Sequence, residues 1–290
     1  MPIARRLFLR AVPVAAAAVA GCRRATESTP VTPLGRALLA AGEEFGATTR
    51  AEVDAGATEL SAIAARVRAL LQQDAGRSPA AALNTVVFDT LGFEREVDDT
   101  DLRFVMLPSV LRNRRGSCVG LGTLYLALGD MLKLGMQGVM VPGHFYVRSD
   151  EAGGRRNVEL LRRGEAMPDD WYRRRYPVAG AAVSSADTAS PGTHGRVLVG
   201  DEVLGVIAYN VGQERRRLTR LPEARRAYQA AVRRLPDFAE AHASLGTVNH
   251  LLGDLPAASA AYEQARRINP RLPGLDKNLQ LLDAELRRTK

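Results

Sequence analysis

The feature that most constrains this chain is a period. Gly212 and Gly246 stand 34 residues apart, and so do Ala224 and Ala258, Tyr228 and Tyr262, Ala231 and Ala265, and Pro236 and Pro270. Small residues at fixed places let paired helices approach closely, an aromatic wedges between neighbours, and a Pro stops the second helix. One such unit cannot bury its apolar face alone and wants about three stacked units. Two are visible, over about 203–236 and 237–270. A further helix from about Pro273, with Leu275, Leu279, Leu282 and Leu286, reads as the polar-faced cap of the stack. Residues 201–290 are therefore expected to be all-α.

This spacing resembles the tetratricopeptide repeat, with departures at Arg215 and Asn249, where that family usually carries Tyr. The resemblance implies a groove for a protein partner. Upstream, residues 179–200 are rich in Ala, Ser and Gly with Pro191, and read as an interdomain linker that makes the repeats a separable module.

The region between 35 and 178 changes period along its length. Leu60, Ile63, Ala64, Val67, Leu70 and Leu71 recur at helical spacing, so Leu34 to Gln73 predicts one or two helices. Ser78-Pro79 opens another, through about Leu91. Glu94 to Asp101 reads as an acidic loop, and Leu107-Pro108-Ser109 opens a short helix to Asn113. Gly116-Ser117-Cys118 precedes a patterned helix with Leu121, Leu124, Tyr125, Leu128, Met131 and Leu132, ending near Gly135. Val139-Met140-Val141, His144 to Arg148 and Asn157 to Leu161 read as strands, the last two joined by a hairpin through Gly153-Gly154. The fold class is α+β, followed by the all-α segment.

The net charge of +8 suggests a nucleic-acid partner until it is divided along the chain. Residues 1–21 contribute +3, residues 22–202 contribute −1 and residues 203–290 contribute +6. The excess thus sits in the leader and on a helical face, and no nucleic-acid partner is expected. No metal motif or phosphate loop appears. Gly120-Leu121-Gly122 falls inside a helix, so it cannot cradle phosphate, and no cofactor is expected.

Residues 1–21 read as a signal peptide. Arg5 and Arg6 precede an Ala-rich apolar stretch, Ala11 to Ala20, too short to span a membrane. The sequence Val19-Ala20-Gly21-Cys22 resembles a bacterial lipobox, and Arg5-Arg6-Leu7-Phe8-Leu9 resembles the twin-arginine export motif. Either export route leaves Cys22 as the lipidation site, followed by a polar tether over 22–34. The resemblance implies a lipid-anchored protein of the bacterial cell envelope that meets the membrane through its anchor only. Arg23 after Cys22 points to the outer membrane, facing the periplasm.

Lipidation of Cys22 leaves Cys118 without a disulfide partner in an oxidising compartment. Cys118 opens a helix, where unpaired N–H groups and the helix dipole favour an anion, and the thiolate is the nucleophilic form. Of four His, His194 lies in the linker and His242 and His250 in the second repeat. His144 alone heads a core strand and is the candidate general base. Glu159 on the neighbouring strand is the candidate orienter, and Asn157 on the same face is the alternative.

Arg-Arg-Gly-Ser-Cys at a helix start, Leu-Tyr-Leu-Ala-Leu within it and Pro-Gly-His-Phe on the next strand resemble the transglutaminase-like core superfamily, in the branch fused to tetratricopeptide repeats. The resemblance implies a papain-like fold with Cys118, His144 and Glu159 in catalytic order, and Glu where the wider superfamily usually has Asp. It implies a thiol enzyme acting on a protein or peptide substrate by hydrolysis or transamidation. The competing expectation is a catalytically silent scaffold that binds protein partners. The lipobox yields a first prediction. Cys22→Ala leaves the precursor uncleaved and unlipidated, which mass spectrometry and detergent partitioning read directly.

Overall fold

The computed structural model describes residues 29–97, 100–151, 153–177 and 195–288. The signal peptide, Cys22 and most of the expected tether and linker lie outside the described residues.

The last part of the expected tether belongs to the fold. Thr29 is buried, and the Thr32 hydroxyl accepts the Gly35 N–H at 3.2 Å, capping helix α1 (Pro33–Ala40) with Pro33 in its first turn. Helix α2 (Arg50–Gln73) starts at a capping box in which Thr49 and Glu52 satisfy each other's backbone. It buries Val53, Gly56, Leu60, Ile63, Ala64 and Val67. Ser78 caps α3 (Pro79–Asn84), which widens into a π-helical turn over Thr85–Thr90. The segment expected to be an acidic loop contains strand β1 (Glu94–Arg95). It pairs in parallel with β2 (Arg115–Gly116), which follows α4 (Leu107–Asn113). Residues 94–101 carry no helical or alternating apolar pattern, so the strand owes its place to its partner.

Helix α5 (Cys118–Leu132) is the centre of the first domain. Its outer neighbours are helices, and its other side lies on a five-stranded antiparallel sheet. That sheet comprises β3 (Met136–Val141), β4 (His144–Glu151), β5 (Gly154–Glu159), β6 (Glu165–Ala166) and β7 (Arg196–Leu198), in the order β6-β5-β4-β3-β7. Helix α6 (Asp169–Arg175) packs Tyr172 on the opposite face of the sheet, against Val139, Val141 and Tyr146. The β3–β4 turn is only Pro142-Gly143. Gly143 takes φ 69°, a left-handed conformation that suits glycine, and His144 then begins β4 opposite Val141.

Close approach to α5 explains the two glycines that mimic a phosphate motif. A Cβ on Gly120 would collide with the Phe104 carbonyl oxygen, and one on Gly122 with the Phe145 ring. These are packing glycines.

The C-terminal helices are α7 (Asp201–Arg217), α8 (Leu221–Arg234), α9 (Ala239–Leu251), α10 (Leu255–Ile268) and α11 (Leu275–Arg288). The 34-residue period has a steric cause. A Cβ on Gly212 would lie 2.5 Å from the Tyr228 ring, and one on Gly246 would lie 2.5 Å from the Tyr262 ring. In each repeat a tyrosine thus lies on the glycine of the preceding helix. Leu275 and Leu282 of α11 close the stack against Ala258, Tyr262 and Ala265.

The expected linker is corrected by its end. Arg196–Leu198 is an edge strand hydrogen-bonded to Gly138–Met140, and α7 follows almost at once. Val203, Val206, Ile207 and Val211 of α7 share one continuous buried cluster with Leu124 and Phe145. Polar ties reinforce the joint. Arg234 pairs with Glu44 at 2.9 Å, Arg215 donates to the Phe45 carbonyl at 3.4 Å, and Arg196 pairs with Asp237. The first repeat is therefore seated on the core. Among the described residues, no helix is long and apolar enough to cross a membrane.

Two outcomes are expected. Gly120→Ala forces the Phe104 backbone aside and lowers unfolding stability by about 1–3 kcal/mol in urea titrations. Truncation after Gly200 uncovers the apolar seat of α7, so the remaining fragment melts well below the full chain in calorimetry.

Candidate active site

The site is built where α5, β4 and β5 converge. Ser117 fixes the start of α5 from both sides. Its N–H donates to the Phe104 carbonyl at 2.8 Å, and its hydroxyl accepts the Gly120 N–H at 3.3 Å. The N–H groups of Cys118 and Val119 are left without a partner inside the helix, as helix geometry requires of a first turn. Cys118 is a free thiol, 7% exposed.

His144 and Glu159 meet through register. In the β4–β5 ladder Val147 opposes Val158, so Glu159 lies across from Tyr146, and His144 is its diagonal neighbour on the same face. His144 Nε2 and Glu159 Oε2 are 2.8 Å apart, and both side chains are almost wholly buried. The other carboxylate oxygen, Oε1, accepts the Leu161 N–H at 3.0 Å, so neither oxygen of Glu159 is free to turn away.

Burial opposes charge on the His144 ring, but hydrogen bonds to Cys118 and Glu159, with the negative charge of both, outweigh it. Its pKa is raised to about 9. Since Nε2 faces Glu159, Nδ1 is the nitrogen left for the thiol. Tyr176 stacks on the imidazole at 4.4 Å between centroids, with an 8° tilt, and covers one of its faces. Sequence reasoning missed Tyr176, because it lies beyond α6 in a stretch with no motif.

Asn157 is not brought to His144. Its Oδ1 accepts from Arg148 Nε at 2.8 Å, and its Nδ2 donates to the Met167 carbonyl at 3.1 Å and to Asp169 at 2.6 Å. Arg148 also donates to the Tyr146 hydroxyl at 3.0 Å. This network braces β4, β5 and α6 and leaves contact with the ring to Glu159.

Cys118 and His144 open into a cavity of about 230 Å³. The core contributes Val119, Met140, Val141, Gly143 and Phe145, and the repeats contribute Val206, Tyr209, Asn210, Gln213, Phe238 and Glu240. None of the repeat residues was legible as part of a site, because the seating of α7 that carries them there is a long-range contact. Among the described residues, no group of three or more His, Cys, Asp or Glu side chains could hold a metal ion.

The arrangement can store a proton on His144 beside a thiol and present that thiol to a bound carbonyl. A test of its electrostatics follows. With a folded pKa near 9 against 6.5 unfolded, the imidazolium contributes stability that is complete below pH 6.5 and is lost as pH rises through about 9. The ring resonances of His144 should titrate near 9 by NMR. Glu159→Gln should move that midpoint down and shrink the alkaline loss of stability.

Comparison with known proteins agrees with this architecture. Residues 54–190 match the transglutaminase-like superfamily, and residues 209–273 match the tetratricopeptide repeat. No curated protein matches the chain. A solved structure described as "Crystal structure of menin reveals the binding site for Mixed Lineage Leukemia (MLL) protein" aligns at 12% identity with a TM-score of 0.38. The alignment covers 81% of this chain and 66% of that one, so it spans just under two thirds of the menin chain.

Proposed function

We propose that this chain, which joins a transglutaminase-like domain to a tetratricopeptide repeat region, is an envelope-anchored thiol enzyme acting on carboxamide or peptide carbonyls. The observation that carries this reading is the buried His144–Glu159 pair at 2.8 Å with the Cys118 thiol beside the same imidazole, at the mouth of a lined cavity. Thiol, base and orienter are the parts that covalent acyl transfer needs.

In the proposed reaction Cys118 Sγ attacks the carbonyl carbon while its proton resides on His144. The first-turn N–H groups of α5 stabilise the oxyanion, aided by the positive end of the helix dipole. His144 then gives its proton to the departing amine as the carbon–nitrogen bond breaks, leaving a thioester on Cys118. Water attacks the thioester, returning a carboxylic acid and the thiol. An amine in place of water gives a new amide. Glu159 holds the ring between these steps. Hydrolysis is the simpler course, since water needs no binding site of its own.

The envelope location rests on the sequence Val19-Ala20-Gly21-Cys22 and on Arg5-Arg6 upstream. Lipid on Cys22 would tether the enzyme to the periplasmic face of the outer membrane. The repeats would recruit a protein partner or substrate.

The experiment is the rate of iodoacetamide labelling at Cys118, with turnover of a pooled peptide-amide library followed by mass spectrometry. His144→Ala should slow labelling at neutral pH by about tenfold or more and abolish turnover. Glu159→Gln should have a smaller effect of the same sign, and Asn157→Ala should act mainly on stability. Labelling that ignores His144, with no turnover by the wild type, would leave the scaffold reading in place.

A further inference from the structure

Glu240 is the acidic side chain that the repeats bring to the cavity, and the acyl-transfer reaction has no use for it. It sits in the first turn of α9, at the repeat position that Val206 occupies 34 residues earlier, and both residues line the same cavity. An acid in a first turn complements the helix dipole. That does not explain why Glu240 Oε2 is closed off from solvent with no hydrogen-bond partner among the described residues. Burial raises the carboxyl's pKa, opposed only by its own backbone N–H, and no basic side chain offsets the cost. Glu240 as a whole is only partly buried and lines the cavity, so a cation placed in that cavity would supply the charge that the carboxyl's surroundings lack.

The surroundings define that ligand. Tyr209 and Phe238 line the cavity with Glu240, their rings 4.7 Å apart between centroids. Aromatic faces beside a carboxylate attract an organic cation. Val119, Met140, Val141 and Val206 add apolar lining to the same cavity, suited to an aliphatic stem. Cys118 and His144 line the same cavity, so a cation held at Glu240 belongs to the molecule whose carbonyl is attacked.

We propose that Glu240 is a specificity-determining residue of the thiol site, selecting substrates that carry an ammonium or guanidinium group on an aliphatic side chain close to the reactive carbonyl. This rests on Cys118 being the nucleophile of the proposed function. It also assigns the second repeat a direct part in substrate choice.

The test uses three small methanethiosulfonates on the full chain: aminoethyl (cationic), methyl (neutral) and sulfonatoethyl (anionic). In each case Cys118 Sγ forms a disulfide to the reagent's sulfenyl sulfur, and methanesulfinate leaves. The rates are expressed as ratios to the neutral reagent, which cancels any general change in thiol reactivity or folding. Glu240→Gln should lower the cationic-to-neutral ratio by roughly tenfold and raise the anionic ratio. n-Butylammonium should slow the neutral reagent in the wild type and fail to do so in Glu240→Gln. Ratios unchanged by Glu240→Gln would overturn the proposal and leave Glu240 as a helix-start acid. The neutral rate alone tests Cys118 as an activated nucleophile. The charge ratio can be read even at a sluggish thiol, so failure of one reading is separable from failure of the other.

Discussion

Everything in the first domain is arranged around a helix with no solvent face. From Cys118 to Gly129, α5 is buried without interruption. A helix so placed has to be approached on all sides, and its small residues decide how closely. Gly120 admits the Phe104 backbone, Gly122 admits the Phe145 ring, and Gly129 admits Met136. Those contacts set the height of α5 above β3 and β4, and with it the place where the helix starts. The Phe104 carbonyl that touches Gly120 also accepts the Ser117 N–H. One backbone oxygen therefore fixes both the packing of the helix and the position of its first residue, Cys118.

The sheet supplies the other half of the site by the same economy. Pro142-Gly143 is the shortest possible connection, so His144 begins β4 in a place that the turn dictates. The β4–β5 register then fixes Glu159 diagonally across from it, and the Leu161 N–H anchors the second carboxylate oxygen. No loop mobility enters this chain of constraints. The imidazole is held by an acid on its edge and by Tyr176 on its face, and it retains its charge at neutral pH because Glu159 and Cys118 outweigh the burial that opposes it.

How much of this was legible depended on whether the determining contact was local. The repeats were readable because their period reflects glycine–tyrosine contacts made within each repeat, Gly212 with Tyr228 and Gly246 with Tyr262. Cys118 and His144 were readable because a helix start and a lone core histidine are visible without knowing their neighbours. The choice between Glu159 and Asn157 was not, since strand parity places both on one face. Arg148 and Asp169, which occupy the Asn157 amide, approach it from β4 and α6. Strand β7 was lost in an Ala-, Ser- and Gly-rich neighbourhood, and three residues carry no period of their own. The inclusion of Tyr209, Phe238 and Glu240 in the cavity was invisible for the strongest reason, because it exists only once α7 is seated.

That seating changes what the fusion of two domains means here. A linker would let the repeats gather a partner while the core acts independently. Instead β7 is the edge strand of the core sheet, and α7 leaves it directly to enter the core's apolar cluster. Removing α7 would expose the core surface that Val206, Ile207 and Val211 pack against and open the cavity to bulk water on one side. Where water is excluded, electrostatic interactions are strengthened, including those of the His144–Glu159 pair. The first repeat therefore acts on the site in two physical ways, by covering apolar surface and by excluding water from charge. The second repeat is held in position by the first and by the Arg196–Asp237 pair. Its helix α9 is thereby fixed at the cavity wall, so the repeats and the core share the boundary of one cavity.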